Sequence, residues 1–180
     1  IAAGRAAWLA SLPVLWAVPH DYQRRRFLTL LDPSSDPLGA GYHIIQSTIA
    51  VGSGGITGKG WLEGTQTHLE FIPERATDFI FAVIGEELGL IGTLSVLALF
   101  VGFAIAGVRT AARAPDRFGM LLATGITVWI VAQAAVNIGG VIGVLPVSGI
   151  PLPFVSFGGS ALVFSLVAAG ILANVARQAK

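Results

Sequence analysis

The stretch LGLIGTLSVLALFVGFAIAGV, residues 88–108, carries no charged side chain. Crossing a hydrocarbon core about 30 Å thick takes roughly 20 apolar residues of helix, and a backbone without water must bond to itself. Residues 118–176 are equally free of charge, broken near the middle by the proline-rich GIPLP at 149–153. Of the 180 residues, 54% are hydrophobic and 12% are charged, where soluble domains carry about 25% charged residues. A buried helix of a large soluble protein is the other account of such runs, but uncharged runs this long are rare outside membranes. The expected fold class is an all-α membrane protein, a polytopic helical bundle.

Reading outward gives spanning helices at 79–108, 118–145 and 154–176. A connector at 109–117 and a short outer loop at 146–153 join them, and a tail at 177–180 follows. A weaker fourth span is expected at 1–19, where Arg5 and Pro13 interrupt and Trp8 and Trp16 suit the two interfaces. The chain begins at Ile1, inside this hydrophobic stretch and without a signal-peptide pattern, and reads as a fragment lacking an upstream membrane region. Residues 20–78 form a large loop that opens with Arg24, Arg25 and Arg26 and the turn-rich LDPSSDPLGAG. It continues into a short interfacial helix lined by Ile44, Ile45, Ile49 and Val51 and ended by Gly52, Gly54 and Gly55. With four spans, Arg109, Arg113, Arg117, Arg177 and Lys180 share one side. The positive-inside rule puts that side in the cytoplasm and the large loop outside. Arg24 to Arg26 run against this, though their loop is near the length at which the rule weakens.

Several function classes drop out. There is no cysteine, which excludes disulfides and thiolate metal sites. A net charge of +1, with no basic stripe bearing interleaved aromatics, gives no sign of nucleic-acid binding. His20, His43 and His68 lack metal-ligand spacing and read as ordinary polar loop residues. The GSGGITGKG segment around Lys59 lacks the full spacing of a phosphate loop and its following Ser or Thr, so nucleotide binding is not expected.

The acids are concentrated. Of ten Asp and Glu residues, nine lie between Asp21 and Glu87, which points to a polar site at the outer rim. Asp78 opens a spanning helix, where it serves either as a cap or as a chemically active carboxylate facing a cavity. Glu86 lies roughly 80° around the same helix from Asp78 and about 12 Å along it, close enough to share a cavity, while Glu87 points away. Acids this deep are costly against lipid, so at least one should face the protein interior, bonded to neighbouring helices or serving function. Gln133 and Asn137, four apart on one face, suit interhelical hydrogen bonding.

Two long segments, residues 41–92 (GYHIIQSTIAVGSGGITGKGWLEGTQTHLEFIPERATDFIFAVIGEELGLIG) and 137–163 (NIGGVIGVLPVSGIPLPFVSFGGSALV), resemble the SEDS family of bacterial cell-wall polymerases. HDYQRRR, DPLGAGYHIIQS and GKGWLEGTQ resemble its elongation branch, RodA, more than its division branch, FtsW. The resemblance implies about four membrane helices of a ten-helix SEDS fold, with one large extracytoplasmic loop. It implies a peptidoglycan glycosyltransferase of the bacterial inner membrane, facing the periplasm or cell exterior. That enzyme polymerises lipid II, an undecaprenyl-pyrophosphate disaccharide peptide, onto a nascent β-1,4 glycan strand. It also implies a class B penicillin-binding protein as partner, beside membrane lipid.

The family's essential acid, the Asp of TDFIF, falls on Asp78, which the resemblance makes the general base of an inverting transfer. Lys59 and Arg75 are then candidates to neutralise the departing pyrophosphate, with a divalent cation as a further possibility. Glu70, Glu74 and Glu86 become supporting residues or cation ligands. Ser156, in PFVSFGGS, becomes part of the cavity wall. A fragment with half the bundle is expected to be inactive alone. Two other readings stay open: a lipid II flippase or transporter, which needs charges along a crossing path, and a non-catalytic scaffold for the penicillin-binding protein, in which Asp78 only caps.

Overall fold

The computed structural model describes residues 28–30, 32, 40–61, 63–64 and 77–178. The expected span at 1–19, the Arg24–Arg26 cluster, and Glu70, Glu74 and Arg75 lie outside these residues. Among the described residues the longer helices follow in order: α1 (Ala40–Ser53), α2 (Ile80–Arg113), α3 (Arg117–Val141) and α4 (Gly159–Gln178). The last three are long and apolar enough to cross a membrane. At 1.5 Å per residue, α3 extends about 37 Å and α4 about 30 Å, enough for a bilayer core.

The helices sort their residues as a bilayer requires. Gly92, Thr93, Gly107 and Ala111 of α2 are buried, as are Gly119, Ala123, Thr127 and Ala134 of α3. Leu94, Leu99, Val101, Ile105 and Leu121 face outward. With hydrocarbon outside there is no solvent to escape, so small residues that permit close helix packing take the interior.

Helix ends differ from the expected bounds for local reasons. The carboxylate of Asp116 accepts from the Phe118 and Gly119 amides at 3.1 Å, starting α3 at Arg117. α3 stops at Val141 rather than 145 because the Val144 and Leu145 amides turn back onto the Gly139 carbonyl. α4 begins at Gly159 rather than 154. Pro151 and Pro153 lack amide hydrogens, and Gly149 and Phe154 adopt φ of 69° and 65°, which holds the preceding segment out of helix. α2 runs on to Arg113, past the expected 108.

The expected interfacial helix is instead packed into the protein. Ile44, Ser47 and Ala50 of α1 are buried, whereas Ile45 and Ile49 are exposed, so the four aliphatic residues do not share one face. Small Ser47 and Ala50 let α1 approach α2 and α3, and the Ser47 hydroxyl donates to the Val141 carbonyl at 2.9 Å.

The decisive feature of α2 is a break. Gly89 takes φ 65°, ψ −154°, a conformation open essentially to glycine. In a continuous helix the Leu90 and Ile91 amides would donate to the carbonyls of Glu86 and Glu87. Here Leu90 N donates to Gly55 O at 2.9 Å and Ile91 N to Ile56 O at 3.2 Å. The vacated carbonyls of Glu86 and Glu87 accept from Lys59 N at 3.0 Å and Gly60 N at 3.1 Å. The glycine-rich loop after α1 thus trades helical hydrogen bonds with α2, turn for turn. Non-helical backbone at membrane depth is tolerated where protein satisfies it in this way.

An ion pair accompanies the exchange. Lys59 Nζ lies 2.8 Å from Glu86 Oε1, with the Glu86 side chain fully buried and that of Lys59 27% exposed. Lys59→Met would remove the cation paired with a buried carboxylate and is expected to cost about 2–3 kcal/mol, given the penalty for breaking a buried ion pair. Adding Glu86→Leu should return most of that loss in a thermal-unfolding cycle on the full-length protein. Equal, additive losses would show that the two side chains act independently.

Candidate functional site

The polar residues of the bundle converge where α2 begins. Thr77 to Phe79 form a turn leading into α2. Phe79 and Phe81 are buried with Ala50, Ala82, Ala134, Ile138, Val141 and Leu152, a core that anchors the turn. The N-cap position of α2 is Phe79, with φ −110° and no side-chain cap hydrogen bond. Asp78 therefore sits one residue before the cap position, partly buried.

Asp78 lines a small, open recess with Phe79, Asn137, Gly140, Ser148 and Gly149. The opposing wall is the irregular segment after α3. At Gly149, a Cβ would stand 3.5 Å from Asp78 Oδ2, ordinary van der Waals contact, which places this backbone beside the carboxylate.

Three side chains hold the turn and this wall, Asn137 and Gln133 from α3 and Ser156 from within the irregular segment itself. Asn137 Nδ2 donates to the Asp78 carbonyl at 2.9 Å and to the Ile150 carbonyl at 2.7 Å. Gln133 Nε2 donates to the Pro151 carbonyl at 2.9 Å. The Ser156 hydroxyl donates to the Thr77 carbonyl and accepts from the Leu152 amide at 2.7 Å. Each bond goes to a carbonyl or amide that a helix or strand would have satisfied, which is why these irregular segments can be buried.

The opposite end of the bundle is basic. Arg109 and Arg113 end α2, Arg117 starts α3 and Arg177 ends α4, around a second small core of Ala111, Ala123, Leu172 and Val175. Asp78, at the start of α2, is at the far end from Arg113.

The FTSW_RODA_SPOVE family model, described as "Cell cycle protein", matches residues 2–180. The chain belongs to the FtsW/RodA/SpoVE family. Among similar proteins is "Peptidoglycan glycosyltransferase MrdB" of Escherichia coli (strain K12), 57% identical over 167 residues, which cover 92% of this chain and 45% of that one. "Probable peptidoglycan glycosyltransferase FtsW" of Geobacter metallireducens is 51% identical over 160 residues, 89% of this chain and 42% of the relative. "Stage V sporulation protein E" of Bacillus subtilis is 46% identical over 159 residues, 88% of this chain and 43% of the relative. The chain spans about half the length of the curated relatives it matches. A solved structure, "Structural coordination of polymerization and crosslinking by a peptidoglycan synthase complex", contains a chain that is 36% identical. It matches with a TM-score of 0.72 over 98% of this chain and 48% of that one.

In this FtsW/RodA/SpoVE segment the predicted site residues separate into two groups. Asp78 and Ser156 meet at the α2 turn, Asp78 in the recess and Ser156 behind Thr77. Lys59 and Glu86 pair with each other at the helix break, and neither lines the recess. Among the described residues no three of His, Asp or Glu are grouped so as to hold a metal ion. Sequence reading gave Asn137 and Gln133 to interhelical bonding; they bond instead to backbone carbonyls of the two irregular segments. The proline and glycine density of 146–153 was the available signal that such carbonyls would need partners. Gly149 and Ser148 were not anticipated as recess walls.

Proposed function

We propose that this segment carries the general base of a peptidoglycan glycosyltransferase that polymerises lipid II. The observation that carries the reading is Asp78, a partly buried carboxylate beside a recess at the mouth of a membrane helix, at the end remote from Arg109, Arg113, Arg117 and Arg177. The names borne by the E. coli and G. metallireducens relatives support the reaction class. Asp78 takes the proton of the acceptor sugar 4-hydroxyl as that oxygen bonds to the donor anomeric carbon. The bond from that carbon to undecaprenyl pyrophosphate breaks, and the α-linkage becomes β by inversion. The proton rests on Asp78, and the departing pyrophosphate carries the negative charge. A positioned base of this kind contributes typically about 10²- to 10⁴-fold in rate. We assign the complete protein a transpeptidase partner of the class B penicillin-binding kind. The complex that coordinates polymerization and crosslinking supports this.

The test is polymerisation of labelled lipid II by the full-length protein and its Asp78→Asn variant. Polymer from both at equal rates rejects Asp78 as the base.

We further propose that the Asp78 end faces the cell exterior, from the clustering of Arg109, Arg113, Arg117 and Arg177 at the other end. The segment has no cysteine, so single-cysteine labelling reads cleanly within it. Ser148→Cys should react with an impermeant maleimide in intact cells, and Ala112→Cys only after permeabilisation. The reverse pattern inverts the topology and removes Asp78 from any external substrate.

A further inference from the structure

A general base is effective only if its carboxylate is held where the acceptor hydroxyl arrives, since displacements of about 1 Å can cost on the order of 10²-fold in rate. Asp78 lies in a turn with no regular secondary structure of its own to hold it. The wall facing its carboxylate, at Gly149, is also irregular and adopts φ 69°. Two irregular segments that form one recess need something rigid to fix their spacing. Ser156, within the second segment, bonds to the Thr77 carbonyl of the turn, and Asn137 reaches both segments from a helix.

We propose that Asn137 is a positioning residue for Asp78, and this rests on the reading of Asp78 as the base. Asn137 sits on α3, 5% exposed, in the turn of helix packed against the core formed by Phe79, Ala134, Ile138 and Val141. Its single amide nitrogen donates one hydrogen to the Asp78 carbonyl and the other to the Ile150 carbonyl. Both acceptors are carbonyls, which fixes the amide: turning it over would set its oxygen against two other oxygens. The two carbonyls therefore stay within two hydrogen-bond lengths of each other. One belongs to the base itself, and the other to the residue following Gly149, against which the base's carboxylate rests. Asn137 thus fixes the carboxylate relative to its own wall, without touching substrate.

Gln133 provides an internal comparison. It lies one helical turn away on the same face of α3, and its amide donates to the neighbouring Pro151 carbonyl rather than to the Asp78 turn. Removing it loosens the wall segment alone. Removing Asn137 takes away the link from α3 to both wall and base, leaving only the Ser156 bond to Thr77 between the two segments.

The experiment measures lipid II polymerisation kinetics and thermal unfolding for the full-length protein with Asn137→Leu, Gln133→Leu or Asp78→Asn. Asn137→Leu keeps the side-chain shape and loses both donors. Its kcat should fall about 10²-fold while KM changes less than about twofold, the pattern of a lost transition-state alignment. Gln133→Leu should keep kcat within about threefold at a comparable loss of thermal stability. Asn137→Ala, which leaves room for a water to serve one carbonyl, covers the case in which the leucine variant does not fold; it should lose about tenfold in kcat.

The inference is overturned if folded Asn137→Leu keeps wild-type kcat, if Gln133→Leu loses as much, or if neither Asn137 variant folds. In each case Asn137 would be a structural residue. Those outcomes are separate from failure of the base assignment itself, which polymerisation by Asp78→Asn would reveal.

Discussion

Asp78→Asn is expected to lower lipid II polymerisation by the full-length protein about 10²- to 10⁴-fold, with the folded state unchanged. The substitution keeps the side-chain shape and removes the ability to accept and hold a proton. It leaves the Asn137 bond to the turn alone, because Asn137 binds the Asp78 backbone carbonyl rather than its carboxylate. The helix start is not at stake either, since the cap position is Phe79. Loss of rate should therefore come without loss of thermal stability. A scaffold reading predicts no loss of rate, and a cap reading predicts a loss of stability of about 1 kcal/mol.

The second large effect is expected from Gly89→Ala. Alanine must adopt φ 65°, ψ −154° there, and its Cβ would lie 2.3 Å from the Gly58 amide nitrogen. Backbone strain of about 1–3 kcal/mol and overpacking of similar size sum to roughly 4 kcal/mol. On the full-length protein this should lower Tm by about 10 °C. Relief is available if α2 recovers its ordinary helical bonds and expels the loop, and that rearrangement re-aims the half-helix carrying Asp78. Polymerisation should fall with it. Gly102→Ala is the comparator: it lies in the same helix with nothing within 4 Å of the new Cβ, and should be neutral or slightly stabilising. Equal behaviour of the two variants would mean that the break at Gly89 contributes nothing to stability.

The spans were legible because lipid imposes a length and a charge rule that 88–108 and 118–176 satisfy without exception. Their ends were less so. Residues 142–158 are as uncharged as their neighbours, and Pro146, Pro151, Pro153 and the positive φ of Gly143, Gly149 and Phe154 keep them out of helix. The break at Gly89 left no hydrophobicity signal, since a lone glycine in a membrane helix is commonplace. Its signature lay elsewhere, in GSGGITGKG. Gly58 is needed because a Cβ there would lie 2.0 Å from the Glu87 carbonyl oxygen, a contact with a backbone distant in sequence. Asp78 stood out as an acid at a helix mouth, yet its surroundings did not. Asn137 and Gln133 were correctly set on one face, but their partners are main-chain carbonyls, and periodicity says nothing about those.

The exchange between the glycine-rich loop and α2 also fixes a length. Gly55 meets Leu90, Ile56 meets Ile91, Lys59 meets Glu86 and Gly60 meets Glu87, each residue with one counterpart. Adding or deleting a single amino acid between positions 55 and 60 would shift every later pair out of step. Natural variants of this segment should therefore differ there by substitution and not by insertion or deletion.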